Sequence, residues 1–446
     1  MNIDLTKGPV LRTLAKFCWP LVLANLLQTM YSITDMIMSG RFIGETAMSA
    51  VSAGGQLSYL LTTLSMGLAA GGQILISQQK GADKDTQKSV GSLLVFSSSS
   101  GILLSVTGFF LARTVLNLIN TPPEAFDQAV LYMKITSWGM FFVFCQSSVS
   151  GLFRGLGCSS IPLYISAAST ALNLALDYVF LKLLKLGISG ISLATVLSQG
   201  LSFLLALVLL YKSRERLAFD FRVKLLQPDW GITRDILKIG LPFAAQLAIV
   251  SISNMYITSG VNSYGVTASA ALGAGVRITN LLTVPMMAAG NGASTMVGQS
   301  MGANDHDRAA KAVKIALFFM LCISAATVAL CQFLPETLVG IFKSGDGIVE
   351  SGAEYLRTVS WCFFGHCCHS AYNAAALGVG FSTYSLFSSS SEALLGRVLL
   401  TFFLGNLLGL NGIFVAQAIS PYISGAISGA YYYSGKWKKH KLLSNR

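Results

Sequence analysis

Charged residues are scarce in this sequence. Only 11% of its 446 residues are Asp, Glu, Lys or Arg, whereas soluble domains carry about 25%. Hydrophobic residues make up 53%, and apolar runs of roughly 20 residues, enough to cross a bilayer, recur along the chain. No segment of useful size for a soluble domain is left between these runs. The composition therefore predicts a polytopic α-helical membrane protein.

Several signatures of other protein classes are missing. No Gly-x-x-x-x-Gly-Lys-Ser/Thr loop occurs, which argues against an ATP-driven pump. None of the eight cysteines has Cys-x-x-Cys spacing, which argues against a disulfide or zinc framework. In the run 366–369, His-Cys-Cys-His, neighbours on a helix point about 100° apart and cannot converge on one metal ion. We predict no enzymatic activity, no cofactor and no cleavable signal peptide.

The basic residues are unevenly distributed. The formal net charge is +12, but most of the 31 Lys and Arg residues fall in short loops on the side of the N terminus. Cytoplasmic loops retain Lys and Arg, so the charge reports membrane topology rather than nucleic-acid binding. We expect a multi-pass protein of the cell membrane with both termini in the cytoplasm and no nucleic-acid partner.

Apolar runs, read against Gly, Pro and charged residues, predict twelve helices. We expect two six-helix lobes, residues 1–211 and 235–433, joined by a cytoplasmic linker, 212–234, and followed by a basic tail, 434–446. The predicted helices are 11–40, 47–79, 88–113, 128–153, 160–181, 187–211, 235–260, 267–300, 309–334, 352–379, 383–405 and 409–433.

The two halves repeat each other at an offset of about 221–223 residues. Residues 46–82 align without gaps on residues 267–303, and Pro20 stands opposite Pro242. Each unit holds an even number of spans, so both units enter the membrane in the same direction. We therefore predict two pseudo-symmetric bundles with parallel repeat topology, one of the arrangements used by transporters.

A set of motifs is distributed over both halves of the chain: Trp19-Pro20-Leu21 with Gln28-Thr29 and Asp35, Gln78…Gly81-Ala82, Gln299…Gly302-Ala303, Gly151–Gly157, Asn173–Asp177 and Gly187–Thr195. In these motifs the sequence resembles the multidrug and toxic compound extrusion (MATE) family over essentially its whole length, and in part its branch of DNA-damage-inducible F proteins. The resemblance implies twelve helices in two lobes around a central cleft. It also implies efflux of cationic or amphipathic compounds driven by entry of protons or sodium ions.

Two acids lie inside predicted spans of the first half, Asp35 and Asp177. An acid within a span is a functional candidate by default, and two carboxylates at similar depth call for a bound proton or shared metal cation. Asn173 shares a helix face with Asp177, and Thr195 can add an oxygen. By the resemblance, these four residues occupy the positions of a first-lobe cation site, with Tyr132 in support. Apart from Na⁺ at Asp35, Asn173 and Asp177, no metal is expected.

The second half lacks acids at the matching positions, which are Ile257 and Leu400. Coupling is therefore expected in the first lobe. Glu392 remains as a mid-span acid, and either Arg277 or Arg397 can pair with it. Substrate-cleft candidates are less specific: Gln246, Met286, Met287 and His366.

These features favour a secondary transporter, functional as a monomer, that exchanges small organic compounds for inward H⁺ or Na⁺. One alternative is a flippase or exporter of lipid-linked or other amphiphilic molecules. A second, from another class, is a membrane receptor or scaffold without transport activity.

Overall fold

The structure is a computed structural model that describes residues 3–43, 45–118, 121, 123–214, 227–341, 346–440 and 442. Most of the predicted linker and the end of the predicted tail lie outside these residues. The described elements are α1 Val10–Phe42, α2 Glu45–Gly81, α3 Gln87–Leu118, α4 Pro123–Gly155, α5 Ser160–Tyr178 with a π-helical turn Val179–Leu183, α6 Gly187–Lys212, α7 Trp230–Asn262, α8 Val266–Gly302, α9 His306–Phe333, α10 Pro335–Gly340, α11 Asp346–Val359, α12 Cys362–Gly378, α13 Ser382–Ser391 with a π-helical segment Glu392–Leu400, α14 Thr401–Leu408, α15 Leu410–Tyr433 and a 3₁₀ turn Lys436–Lys439.

Within the described residues, eleven helical segments are long and apolar enough to cross a membrane. The predicted tenth helix, 352–379, is instead broken into α11 and α12 at residues 360 and 361. Gln332 of α9 explains how the break is tolerated. Its Nε2 donates to the Arg357 carbonyl at 2.7 Å and to Ser360 Oγ at 3.1 Å, so the polar groups at the break keep partners.

Helix α7 begins at Trp230, five residues before the predicted start of the second lobe. Asp229 precedes it and caps its first turn, because Oδ1 accepts from the backbone N–H groups of Gly231 at 2.8 Å and Ile232 at 3.2 Å. The end of the predicted linker is thus helical.

The chain divides by its contacts into two compact units. Unit 1 consists of Met1–Ile3 and Leu23–Ala244, and unit 2 consists of Asp4–Val22 and Ala245–Arg446. The first part of α7 therefore packs within unit 1, and the first part of α1 within unit 2. The lobe boundaries predicted from the sequence place all of α1 in the first lobe and begin the second lobe at residue 235. These boundaries remain a prediction.

Glycines on α2 permit the close packing of α7 in unit 1. A Cβ on Gly71 would collide with the Ile236 carbonyl, and one on Gly67 would stand 2.7 Å from Ala244 Cβ. Unit 2 has the matching feature 221 residues later, where a Cβ on Gly292 of α8 would collide with Cys18 of α1.

The backbone repeats at the offset found in the sequence. Three pairs of residues 221–223 positions apart share a left-handed conformation, which few residues other than Gly adopt. These pairs are Asp83 (φ 53°) and Asn304 (61°), Gly157 (85°) and Gly380 (85°), and Gly187 (59°) and Gly409 (62°). The duplication thus extends to the turns between helices.

Candidate functional site

A buried polar cluster occupies unit 1 where α1, α4, α5 and α6 meet. Asp35 of α1 is 8% exposed, and Asn173 and Asp177 of α5 are 1% and 0% exposed. Thr195 of α6 and Tyr132 of α4 are also buried. Asp35 interacts with Asn173, Asp177 and Thr195, and Tyr132 interacts with both acids, so the structure brings together the four residues predicted for the cation site and the supporting Tyr132.

Near its C-terminal end, helix α5 buries an amide and an acid and exposes a leucine between them. Only Pro162, Ile165, Asn173 and Asp177 are buried on it, whereas Leu174 is 48% exposed. In a membrane, a helix that turns an acid and an amide inward and Leu outward has a polar partner or ligand inside the bundle. The Thr170 hydroxyl donates to the Leu27 carbonyl at 3.3 Å and links α5 to α1 near the two acids.

The side chain of Asp35 interacts with those of Asp177, Asn173 and Thr195, and the charge of Asp177 acts directly on the Asp35 carboxyl. Tyr132 lies close enough to interact electrostatically with both acids. The Tyr132 ring packs against Gly54 of α2, where an added Cβ would lie 2.6 Å from Tyr132 Cδ1. A glycine at position 54 thus makes room for the tyrosine.

Tyr31 also belongs to this cluster, although it was not among the residues predicted from the sequence. It interacts with Asp35 and Thr195. The available signal was its spacing, because Tyr31 precedes Asp35 by four residues and so shares its helix face.

Several buried polar atoms of the cluster form no well-aligned hydrogen bond among the described residues, although the side chains of Asp35, Asp177, Asn173 and Thr195 lie close enough to interact. These atoms are Tyr31 Oη, Asp35 Oδ1, Asn173 Nδ2, Asp177 Oδ1 and Oδ2, and Thr195 Oγ1. Native structures leave few buried polar groups unpaired, and a concentration of them in one place needs an explanation such as an ion or water. Nearly all are oxygens, which suit a proton or a hard monovalent cation.

A second buried polar cluster lies in unit 2, around an ion pair. Arg397 donates to Glu392 Oε1 through Nε at 3.2 Å and Nη2 at 2.7 Å, and to Asn254 Oδ1 of α7 through Nη1 at 2.6 Å. Ser424 of α15 donates to Glu392 Oε2 at 2.5 Å. The π-helical segment explains the pairing, since residues five apart are neighbours in a π-helix. Of the two arginines considered, Arg397 is thus the partner of Glu392.

The remaining predicted residues are spread through unit 2. Met286 is 2% exposed and packs in the interior, where its sulfur accepts from Ser324 Oγ at 3.4 Å, whereas Met287 is 52% exposed. Gln246 of α7 is 9% exposed. His366 of α12 is half-buried and interacts electrostatically with Glu392 and Arg397. The first acid cluster is more compact and better defined than this set.

Residues 20–179 and 242–423 each match the family described as MatE, and the starts of the two matches are 222 positions apart. Together they cover most of the chain. The chain belongs to the MATE family. MATE proteins are membrane transporters and not enzymes.

Individual relatives of this MATE protein extend over most of its length. It is 27% identical over 445 residues to the probable multidrug resistance protein YpnP of Bacillus subtilis, covering 99% of both chains. It is 30% identical over 365 residues to the probable multidrug resistance protein YoeA of the same organism, covering 80% of this chain and 79% of that one.

The fold is also that of a solved MATE structure. An outward-facing multidrug resistance MATE transporter of the MOP superfamily superposes with a TM-score of 0.92 at 20% identity, covering 99% of this chain and 98% of that one. The predicted fold class, an all-α membrane protein of twelve spans in two lobes, is confirmed.

Proposed function

We propose that this MATE transporter exports small organic compounds, cationic or amphipathic, in exchange for H⁺ or Na⁺ entering the cell. Asp35 and Asp177 bind the entering cation, with Asn173 and Thr195 as neutral oxygen donors and Tyr31 and Tyr132 beside them. We further propose that the protein works by alternating access as a monomer in the cell membrane, with both termini in the cytoplasm.

The observation that carries this proposal is the set of unpaired oxygens around two adjoining carboxyls. Two carboxylates in a low-dielectric interior repel each other, and burial disfavours both charges. One bound cation relieves both penalties. Binding and release of a cation therefore change the energy of this cluster strongly, which is what a coupling site requires.

The placement of the acids supports coupling in unit 1. At the corresponding positions of unit 2, Ile257 and Leu400 cannot ionise. Among the described residues of unit 2, Glu392 is a deeply buried acid whose charge is balanced by Arg397. A carboxylate held by a guanidinium has less need of an external cation.

The proposal is tested by replacing each acid in turn. Asp35→Asn and Asp177→Asn keep size and hydrogen bonding but cannot bind a proton or a metal cation as a carboxylate does. Purified protein is reconstituted into proteoliposomes, and transport of a fluorescent organic cation is followed under a pH gradient and a sodium gradient applied separately.

We expect one of the two gradients to drive transport in the wild type and both substitutions to reduce this transport at least tenfold. Asp127→Asn is the matched control, because the Asp127 side chain is 85% exposed and lies in the surface pair with Arg113. Wild-type rates from Asp35→Asn would refute the site, and transport indifferent to both gradients would refute the exchange.

A further inference from the structure

A cavity of about 360 Å³ opens at the end of unit 1 opposite the N-terminal end of α1. It is formed where α1 ends, where the π-helical turn follows α5, and where α6 begins. Its lining residues are Phe42, Ile43, Leu181, Lys182, Lys185 and Gly187. A water molecule occupies about 30 Å³ in the liquid, so this space holds roughly ten waters.

The floor of the cavity adjoins the acid cluster. Leu181 follows Asp177 by four residues, about one helical turn, and is 5% exposed. Leu181 and Ile43 pack in the same apolar cluster as Tyr132, which in turn adjoins both acids. Leu181 thus lines the cavity and lies about one helical turn from Asp177 along the same helix.

The element that carries Leu181 is itself irregular. Val179–Leu183 is a π-helical turn inserted at the end of α5, directly after Asp177 and Tyr178. Such turns weaken the regular hydrogen-bond ladder, and they occur frequently at functional sites. Leu181 therefore lies on the irregular segment that directly follows Asp177.

Two lysines set the charge at the rim. Lys182 donates to the Tyr178 hydroxyl at 2.8 Å and lies 4.8 Å from the centre of the Tyr178 ring, so its ammonium is held in a defined position. Lys185, also exposed, has a left-handed backbone with φ 52°. Positive charge at a mouth lowers the local concentration of cations and raises that of anions.

We propose that this cavity is an entry vestibule through which the coupling cation reaches Asp177 and Asp35 from outside the cell, with Leu181 as the barrier at its floor. This inference rests on the proposed function. It adds a route for the ion that is separate from the route of the substrate. It also assigns Lys182 and Lys185 the role of limiting how often a cation occupies the vestibule.

The vestibule is tested by filling it. Lys182→Cys and Lys185→Cys are each prepared in a Cys322→Ser background, because Cys322 is the exposed native cysteine among the described residues. Each protein is modified in detergent with methanethiosulfonates that attach either a methylthio group or a bulky aromatic group, and is then reconstituted. Arg113→Cys, at an exposed site 66% accessible outside the cavity lining, is the control.

We expect the bulky adduct at residue 182 or 185 to lower gradient-driven export at least fivefold, while the methylthio adduct retains most of the activity. Both adducts at Arg113→Cys should leave the rate unchanged. A merely structural role for these lysines predicts equal effects of the two adducts, which would overturn the vestibule.

A second measurement uses the lysine charges. With Lys182→Gln and Lys185→Gln combined, the driving-cation concentration that gives half-maximal export should fall severalfold, most clearly at low ionic strength. An unchanged half-maximal concentration would contradict the role assigned to the rim.

The two proposals fail in different ways. If Asp35→Asn exports at the wild-type rate, the cation site itself is wrong. If Asp35→Asn is inactive but the bulky adducts at residues 182 and 185 export normally, the cation site stands and the vestibule is refuted.

Discussion

The ion pair between Arg397 and Glu392 gives a strong test of the energetics of unit 2. Its side chains are 10% and 5% exposed, and Arg397 makes two hydrogen bonds to Glu392 and a third to Asn254. In Arg397→Met the volume is nearly kept but the Glu392 carboxylate is left buried without its cation. Breaking a buried pair in this way costs about 3–5 kcal/mol.

The matched control is the pair of Arg113 and Asp127, which joins the same two kinds of group at 2.9 Å but is 66% and 85% exposed. Exposed pairs contribute about 0–1 kcal/mol, so Arg113→Met should change stability little. A unit of this size shifts its Tm by about 2–4 °C per kcal/mol, which gives a decrease of roughly 6–20 °C for Arg397→Met.

The assay is thermal unfolding of the purified protein in detergent, measured for both single variants and for Arg397→Met combined with Glu392→Gln. The double variant removes the unpaired charge, while the amide oxygen of the introduced glutamine still accepts from Ser424. It should recover most of the lost stability. Equal Tm values for Arg397→Met and Arg113→Met, or a double variant less stable than Arg397→Met, would refute the reasoning.

Two further predictions concern packing and the N-terminal segment. Gly71→Ala should destabilise the protein by about 1–3 kcal/mol, because the new Cβ meets the Ile236 backbone. Gly55→Ala has open space around the new Cβ and should be neutral or stabilising by up to about 1 kcal/mol. Thermal unfolding measures both variants, and equal effects would contradict the close α2–α7 packing. Arg308 donates to the carbonyls of Leu5, Lys7 and Gly8 at 2.8, 2.7 and 2.8 Å. Arg308→Ala should therefore speed amide hydrogen exchange at residues 5–8 at least tenfold, while the exposed Lys311→Ala should not; unchanged protection in Arg308→Ala would show that the segment is held by other contacts.

Much of the scaffold follows from the sequence, because a bilayer imposes strong rules. Helix ends could be predicted to within about six residues, because length, hydropathy and the positions of Gly, Pro and charged residues are all constrained at once. The start of α7 was missed although Asp229 is a standard N-cap residue. The break near Ser360 could not be predicted, because the side chain that satisfies it, Gln332, lies in another helix.

Every member of the acid cluster except Tyr31 was predicted from the sequence, but its arrangement was not. Isolated acids within apolar spans stand out, and the i, i+4 spacing of Asn173 and Asp177 indicated a shared face. Sequence patterns do not show that α5 buries so few residues besides these two, nor that so many of the surrounding polar atoms lack partners. The cavity above Leu181 depends on how three helix ends meet, for which one sequence holds no signal.

The partition of α1 and α7 between the units is also a tertiary property. Pro20 and Pro242 mark the same place in the repeat, and each lies within three residues of the point where its helix passes from one unit to the other. The sequence shows that both prolines are present, but not with which residues the flanking halves of each helix pack.

The central claim is that Asp35 and Asp177 hold a cation that is exchanged for the substrate, and cation release measures this most directly. Substrate is added to purified protein in weakly buffered detergent solution, and released protons are followed with a pH dye and released sodium with an ion-selective electrode. We predict release of about one cation per wild-type protein and none from Asp35→Asn. Undiminished release from Asp35→Asn, with substrate still bound, would contradict the claim.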